Sequence, residues 1–313
     1  AEGNKWAFFP SAALGWRLDQ EEFLKDVTWL NQLKFRLGVG VTGNSAIDPY
    51  QTKGAIVSLY YPFGSALAPG YAASEPLIKD GAVAMANKNL SWEKTTQYNI
   101  GLDYSVLNGR ISGVLDFYTS RTTDLLMAMT IPSLNGYTNT YANVGKTSNI
   151  GVDITLNTVN VKTRDFEWST SINAAWQKDK IDELANGKED DINNNWFIGQ
   201  ALGVIYGYEC GGLWKEEDAA EMAKFNANGH SYKPGDLRFV DKNGDYKIDA
   251  TDRDILGQKM PKWTAGMGNT FRYKDFDFYV FMYGMFGHTI YCDPGTAHDG
   301  RMNTRYVDYW TPE

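Results

Sequence analysis

Apolar and polar residues alternate one by one along much of this chain. Between Leu33 and Val41 every second residue is apolar, and the residues between them are Lys, Arg or Gly. A period of two places alternate side chains on opposite faces of a β-strand. The same pattern predicts eight strands, at residues 12–18, 33–42, 96–106, 111–117, 149–157, 166–176, 263–273 and 276–286.

The connections between these strands alternate between short and long. Short connections occur at Asn108-Gly109, which tolerates the positive φ of a tight turn, around residues 160–165, and at Lys274-Asp275. Residues 20–31 predict a short amphipathic helix or turn. The long connections are residues 44–92, 121–147 and 179–261.

This arrangement predicts an all-β fold, an antiparallel transmembrane β-barrel with short periplasmic turns and long extracellular loops. The polar members of the strands are often Gly, Ser, Thr, Asn and Asp, which suits a water-filled lumen. The apolar face would then be the lipid face. A half-buried antiparallel sheet produces the same alternation and is the alternative interpretation.

Composition restricts the partners of the chain. Its 313 residues include 30 Lys and Arg against 38 Asp and Glu, for a net charge of −8, which argues against nucleic acid as a partner. No uncharged apolar run reaches the length of about 18 residues that a transmembrane helix needs. The sequence begins without an initiator Met or signal peptide, so we interpret the chain as mature, processed or cut from a longer protein.

One acidic segment, residues 241–252, has the spacing of a calcium loop. Oxygen-bearing side chains at loop positions 1, 3, 5, 9 and 12 are those that wrap a hard cation. Position 6 is Tyr246 rather than Gly and position 12 is Asp rather than Glu, so the spacing is closer to a dockerin-type loop than to an EF-hand. The alternative is a solvated acidic turn. The predicted ligands of Ca²⁺, the one cofactor that the sequence suggests, are Asp241, Asn243, Asp245, Asp249 and Asp252.

Other motifs point away from catalysis, and no catalytic residue is predicted. Gly145-Lys146-Thr147 lacks the glycine that a phosphate-binding loop needs five residues earlier. The three histidines have no metal-binding spacing, and no Gly-x-Ser-x-Gly elbow occurs. Cys210 and Cys292 also lack metal spacing, and whether they form a disulfide is left open. The loops contain aromatic residues that could stack on sugar rings or simply pack the loops: Tyr60, Tyr61, Phe63, Tyr71, Tyr137, Tyr141, Trp196, Tyr206, Tyr208 and Trp214.

Several short segments carry a family resemblance. They are Phe9-Pro10-Ser11, Gly15-Trp16-Arg17, Leu33-Lys34-Phe35-Arg36, Gly40-Val41-Thr42-Gly43-Asn44, Leu90-Ser91-Trp92-Glu93-Lys94-Thr95, Asn99-Ile100-Gly101, Asp124-Leu125-Leu126, Asn143-Val144-Gly145, Asn149-Ile150-Gly151-Val152, Pro234-Gly235-Asp236-Leu237-Arg238, Asp241 to Asp254 and Pro261-Lys262. In this order they resemble the C-terminal part of the barrel of SusC/RagA-type TonB-dependent outer-membrane transporters.

The resemblance implies a barrel of 22 strands, of which residues 1–313 would supply about eight. Residues 179–261 would be a long extracellular loop region that contains the calcium-loop-like segment. It also implies the outer membrane of a Gram-negative, Bacteroidota-like bacterium, contact with membrane lipid, a SusD-like surface lipoprotein as partner, and TonB acting through a plug and N-terminal region that this chain lacks. We therefore expect the chain to be a fragment of a larger transporter.

The function that the resemblance implies is import of oligosaccharides or glycan fragments, with no enzymatic step. Peptide import of the RagA type is the nearest alternative. A calcium-stabilised glycan-binding or adhesin module is a second alternative, and an aromatic-rich β-sandwich glycosidase is a third.

Overall fold

The computed structural model describes residues 3–45, 57–64, 66–72, 85–132 and 139–291. These residues contain sixteen strands and one α-helix, α1 (Ala219–Ala227). The strands are β1 (Ser11–Arg17), β2 (Leu30–Asn44), β3 (Val57–Phe63), β4 (Ala66–Ala72), β5 (Glu93–Val106), β6 (Ile111–Thr123), β7 (Leu126–Thr130), β8 (Asn139–Asn143), β9 (Lys146–Lys162), β10 (Phe166–Glu183), β11 (Val204–Tyr208), β12 (Cys210–Leu213), β13 (Leu237–Phe239), β14 (Arg253–Gln258), β15 (Trp263–Tyr273) and β16 (Phe276–Phe286).

Eight of these strands form one antiparallel sheet in the order β1-β2-β5-β6-β9-β10-β15-β16. They correspond to the eight strands that the alternation predicts, so that prediction is confirmed. Several are longer than predicted, and β10 has 18 residues. The predicted strand ends at residue 176, whereas the backbone pairing with β9 continues to Glu183. Lys178 and Lys180 interrupt the apolar pattern in this last part of the strand.

The four short connections lie at one end of the sheet. Leu107, Asn108 and Gly109 have φ of 56°, 57° and 77°, so the predicted Asn-Gly turn is present. Lys274, in the two-residue turn before β16, has φ of 51°. Residues 18–20 and 22–24 form short 3-10 helices rather than an amphipathic α-helix, because their backbone bonds join residues three apart, such as Glu21 N to Leu18 O at 3.1 Å.

The long connections contain short paired strands that alternation did not predict. β3 pairs with β4, β7 with β8, β11 with β14, and β12 with β13, all antiparallel. These strands have three to seven residues, too few to show a clear period of two. Further 3-10 helices occur at residues 192–194, 216–218 and 250–252.

The chain divides into two compact units. The first comprises residues 1–202 and 262–286 and contains the eight-stranded sheet. The second comprises residues 203–261 and 287–313, of which 203–261 and 287–291 are described. Within the predicted loop region 179–261, therefore, residues 179–183 are the end of β10, and residues up to 202 cluster with the sheet. Among the described residues, no helix is long and apolar enough to span a membrane.

Candidate functional site

The apolar positions of the eight strands form continuous rows on one face of the sheet, called here the outward face. One row crosses every strand through paired residues: Leu14, Leu37, Ile100, Phe117, Val152, Trp176, Trp263 and Phe286. Ile100 is 46% exposed and Phe286 is 58% exposed. A continuous apolar surface of this extent would be unfavourable in water, so this face suits contact with lipid.

The opposite face, called here the inward face, carries a charged network across three strands. The Arg36 side chain on β2 donates from Nε to Asp103 Oδ1 at 2.9 Å and from an Nη atom to both carboxylate oxygens of Asp116 at 3.0 Å. Asp103 is on β5 and Asp116 on β6, so one guanidinium cross-links three strands. The fork geometry of Arg matches two carboxylates in a way that a Lys side chain would not.

Gly101 makes room for this network. It pairs with Arg36 on one side and with Asp116 on the other. A methyl group placed on Gly101 would lie 2.6 Å from Arg36 Cζ, closer than side-chain atoms approach one another. The glycine therefore allows the guanidinium to lie against the backbone of β5.

An open cleft of about 340 Å³ lies farther along the sheet. Its inward lining includes Asp153, Thr155, Asn173, Phe281 and Tyr283. Thr155 Oγ1 donates to Asn173 Oδ1 at 3.0 Å. The two aromatic side chains are 56% and 59% exposed, so the cleft offers exposed ring faces beside an amide and a carboxylate.

Glycines on β15 let the aromatic rings of β16 lie flat across the inward face. A methyl group on Gly266 would lie 3.3 Å from the ring of Phe281, and one on Gly268 would lie 2.7 Å from the hydroxyl of Tyr279. The rings of Tyr279 and Phe281 stack with a centroid distance of 6.5 Å. The inward face thus ends in an aromatic platform formed by β16.

Ser91, Asp124 and Asn143, each from a different sequence motif, meet at the end of the sheet opposite the short turns. We call this place the loop-end junction. Asn143 Oδ1 accepts from Ser91 N at 2.7 Å, and Asn143 Nδ2 donates to Ser91 O at 3.0 Å and to Asp124 O at 2.9 Å. Glu93 Oε1 accepts from Leu126 N at 2.8 Å. Three separate motifs of the sequence therefore form one hydrogen-bonded unit that fixes two long connections where they leave the strands.

Tryptophan and buried apolar side chains support the same junction. Trp92 Nε1 donates to Asn4 O at 2.9 Å, and the Trp92 ring makes an edge contact with Phe9 at 5.5 Å between centroids. Leu90 is 2% exposed. Thr140 is buried, and its hydroxyl donates to Met85 O at 2.9 Å.

The second unit has its own core around Trp214. Trp214, Met222 and Phe225 are buried, with Tyr232, Tyr246 and Ile248 packed against them. The Arg238 guanidinium lies 4.6 Å from the centre of the Trp214 ring and donates to Glu221 at 2.8 and 2.9 Å. The motif 234–238 also contributes Asp236 O, which accepts from Trp214 N at 2.9 Å. Burial, and secondarily the charge of Asp236, raises the pKa of Tyr232.

The five predicted calcium ligands lie in one loop of this unit and bond to its backbone. Asp241 accepts from Gly244 N at 2.7 Å and from Tyr246 N at 2.8 Å, and Asp245 accepts from Lys247 N at 2.8 Å. Asn243 Oδ1 accepts from Asp245 N at 3.0 Å. Tyr246, at the position where a glycine was expected, has φ of 61° and so adopts the left-handed conformation itself.

The last two predicted ligands cap the 3-10 turn at residues 250–252. Asp252 is 0% exposed, and its oxygens accept from Lys242 N and from Asp249 N, both at 2.9 Å. The backbone N–H and then the hydroxyl of Thr251 lower the pKa of Asp249. Within the described ranges, no group of three or more His, Cys, Asp or Glu side chains is placed to hold a metal ion. Calcium binding at these residues stays a prediction.

Several other residues that the sequence analysis considered as candidates make structural contacts. Trp214 is 1% exposed, so it packs the loop and is not available to stack on a ligand. His230 Nε2 accepts from Ile248 N at 3.1 Å, and Lys146 Nζ bonds Glu183 at 2.6 Å where the phosphate-loop-like segment enters β9. Cys210 is exposed. The side chains of Tyr60, Tyr61, Phe63, Tyr71, Tyr137, Cys292 and His298 lie outside the described part of the chain.

Sequence reasoning missed the Arg36 network and the aromatic platform. Arg36, Asp103 and Asp116 stand at polar positions of three predicted strands, but only the register shows that they meet. The signal for the platform was the second aromatic set of β16, because Tyr279, Phe281 and Tyr283 occupy the positions that should be polar.

An antiparallel sheet with one lipid-compatible face and one polar face, with turns at one end and long loops at the other, is a segment of an outer-membrane type β-barrel wall. The sequence matches the family described as "TonB dependent receptor-like, beta-barrel" over residues 1–312. The chain belongs to this family, whose proteins are outer-membrane proteins of Gram-negative bacteria.

Individual relatives agree with this assignment. The chain is 34% identical to TonB-dependent receptor SusC of Bacteroides thetaiotaomicron, with 94% of this chain and 29% of that protein covered. It is 33% identical to a TonB-dependent receptor of Formosa agariphila, with 93% and 29% covered. The structure of the RagAB peptide transporter matches with a TM-score of 0.71 at 25% identity, over 91% of this chain and 30% of that chain. The chain thus spans about three tenths of these relatives and corresponds to a SusC/RagA-type barrel segment.

Proposed function

We propose that this chain forms part of the wall and the extracellular loops of a TonB-dependent importer in the outer membrane of a Bacteroidota-like bacterium, and that its cargo is an oligosaccharide. The family and the two faces of the sheet support the transporter assignment. The inward cleft supports the cargo class. This function needs no catalytic residue.

The chemistry of the cleft carries the oligosaccharide assignment. Sugar rings have apolar C–H faces and polar edges, so they suit exposed aromatic faces next to amide, hydroxyl and carboxylate groups. Phe281 and Tyr283 supply the faces, and Asn173, Thr155 and Asp153 supply the polar groups. A peptide, the cargo named for the RagAB structure, is the second candidate, because the overall structure is similar to that transporter.

The test uses the full-length protein that contains this chain, in cells supplied with labelled oligosaccharides or labelled peptides. We expect the double substitution F281A/Y283A to lower oligosaccharide uptake about tenfold or more, since loss of about 1.4 kcal/mol of binding is a factor of ten. The matched control is F278A, which removes a ring from the outward side of the same strand. The protein level in the outer membrane is measured for each variant.

The outcomes separate the two cargo classes. Loss of peptide uptake with oligosaccharide uptake unchanged would assign the peptide cargo instead. Equal uptake by F281A/Y283A and the unaltered protein would remove the cleft from the transport route.

We also propose that a SusD-like surface lipoprotein binds at the long loops and that TonB is the energy-coupling partner of the complete protein. Copurification from detergent extracts tests the lipoprotein.

Calcium binding by residues 241–252 is a separate proposal, supported by the spacing of five oxygen-bearing side chains in one loop. Calorimetry with calcium on the full-length protein should give a binding event that D245N weakens. Asp245 is exposed and keeps an oxygen for Lys247 N as Asn, so this variant should fold. A calorimetric trace at buffer level at millimolar calcium would remove the proposal.

A further inference from the structure

Cationic side chains cross the outward face of the sheet near its loop end. We call this set the basic band, and its members are Lys94 on β5, Arg121 on β6, Lys146 on β9, and Lys178 and Lys180 on β10. The outward face is otherwise apolar toward the middle of the same strands. An amphiphile with an anionic head and an apolar tail would match both the charge and the apolar surface.

The register places the band in three neighbouring rows. Arg121 pairs with Ser148, which pairs with Lys180, so these cations share a row two strands apart. Lys94 and Lys146 both pair with Thr123, in the next row toward the long loops. Lys178 pairs with Ile150 one row closer to the apolar middle. Rows on one face are about 6.6 Å apart, so the band is about 13 Å deep.

Three of the five cations have no ion-pair partner among the described residues. Lys146 bonds Glu183 at 2.6 Å, and Lys180 lies 3.2 Å from Asp182. Lys94, Arg121 and Lys178 are exposed, and no described carboxylate lies within ion-pair distance of them. Among the described residues, three of the five positive charges of the band are therefore uncompensated.

On β5 and β6 the outward-facing charge lies only toward the loop end. At the turn end of the same face, the outward positions of β5 and β6 are Leu102, Tyr104, Val106, Ile111, Gly113 and Leu115, all uncharged. On these two strands the band is thus not repeated at the turn end. It marks one of the two boundaries of the apolar zone.

An apolar groove lies beside the band. It has a volume of about 460 Å³ and is lined on the outward side by Ala12, Leu14, Leu37, Val39, Tyr98 and Ile100. Tyr98 is in the same row as Lys178. An amphiphile with an acyl chain in this groove would place its polar end at the level of the band.

We propose that the basic band binds the phosphate groups of an anionic lipid headgroup in the outer leaflet, with its acyl chains against the outward face. This rests on the outer-membrane placement in the proposed function. The Arg121 guanidinium can donate two parallel hydrogen bonds to a phosphate, and Lys94 and Lys178 provide point charges on flexible stems that extend toward the headgroup level.

The test is native mass spectrometry of the full-length detergent-purified protein with added diphosphorylated lipid A. We expect bound lipid to be retained by the unaltered protein. The triple substitution K94Q/R121Q/K178Q should weaken binding by roughly fivefold for each cation, on the order of 100-fold in total, and by less at high salt. The matched control K25Q/K162Q/K274Q removes three cations at the turn end and should leave binding unchanged.

Two further probes decide the source of the anion. Lipid A with both phosphates removed should bind far more weakly than the diphosphorylated form, and equal binding would overturn the proposal. Inorganic phosphate should not bind alone; phosphate binding that is lost in the triple variant would show a simple anion site and would also overturn it. Equal lipid binding by the triple variant and the unaltered protein is a third overturning result.

The tests of the import function and of lipid binding have independent outcomes. If the F281A/Y283A variant and the unaltered protein take up oligosaccharide and peptide equally, the cargo assignment fails while lipid retention can still depend on the basic band. If lipid retention does not depend on the band but uptake depends on the cleft, only the present inference fails.

Discussion

At the scale of single residues, Gly101 tests whether the inward charged network contributes to stability. We expect G101A to displace Arg36 from Asp116, because the new methyl group would lie 2.6 Å from Arg36 Cζ. The cost should be about 1–3 kcal/mol, the usual range for overpacking. Chemical unfolding of the full-length protein in detergent measures it.

Gly38 provides the matched control. It is also an inward glycine, on β2, and a methyl group there would meet only Asn99 Cβ at 3.8 Å, an ordinary contact. G38A should change the free energy of unfolding by less than about 0.5 kcal/mol. Equal effects of the two substitutions would show that the close approach at Gly101 does not matter.

Asp19, in the turn between β1 and β2, gives a pH-dependent prediction. The Arg17 guanidinium, together with Gln20 and the backbone N–H of Leu33, holds the pKa of Asp19 well below its usual 3.8. A lowered pKa means that the stabilisation is fully present above about pH 4 and is lost as the pH falls through the lowered value. D19N should abolish this acid sensitivity and destabilise the protein at neutral pH, by roughly 2 kcal/mol.

Unfolding midpoints from pH 7 down to pH 2 measure the effect. The control is D26N in the same connection, because Asp26 is exposed and no hydrogen bond from its side chain is seen in the described structure. An acid profile of D19N that matches the unaltered protein would contradict the assignment.

At the scale of elements, the loop-end junction depends on one amide. N143A would leave Ser91 N, Ser91 O and Asp124 O without their partner, and each buried polar group left unsatisfied costs about 1–3 kcal/mol. We expect the junction to open locally while the strands remain paired. Hydrogen exchange of the backbone in residues 91–93 and 124–126 should become at least tenfold faster.

N193A is the control for the junction, since Asn193 is exposed in a 3-10 helix and its side chain makes no hydrogen bond seen in the described structure. Unchanged exchange at residues 91–93 in N143A would show that neighbouring bonds, such as Glu93 to Leu126, hold the connections alone.

The elements differ in how far the sequence predicted them. All eight long strands were predictable, because each has a full period-two pattern that a lipid face and a polar face require. Their loop ends were not, because residues such as Lys178 interrupt the apolar pattern while the backbone ladder continues. Helix α1 of the second unit packs Met222 and Phe225 against Trp214, a contact that no local pattern reveals.

At the scale of the whole molecule, the sheet presents unpaired edges. β1 and β16 are the outer strands of the described sheet, and neither has a second partner within it. Nine of the eleven β16 residues are exposed, among them Phe276 and Phe278 at 77% and 64%. Unpaired edges with apolar side chains promote association between chains.

We therefore expect the isolated 313-residue chain in detergent to form oligomers or aggregates, whereas the full-length protein stays monodisperse. Size-exclusion chromatography with light scattering distinguishes the two. A stable monomer of the isolated chain would mean that its edges pair with each other or are covered.

The sequence by itself determined the strands, their two faces, the short and long ends and the family, because each is encoded by residues close together in the chain. Tertiary structure alone decided which polar residues meet. The contact of Arg36 with Asp103 and Asp116 spans 67 and 80 residues. The Phe281 and Tyr283 rings lie beside Asn173 only because β15 pairs with β10. The register between distant strands sets such contacts, and it is fixed only when the whole sheet has formed.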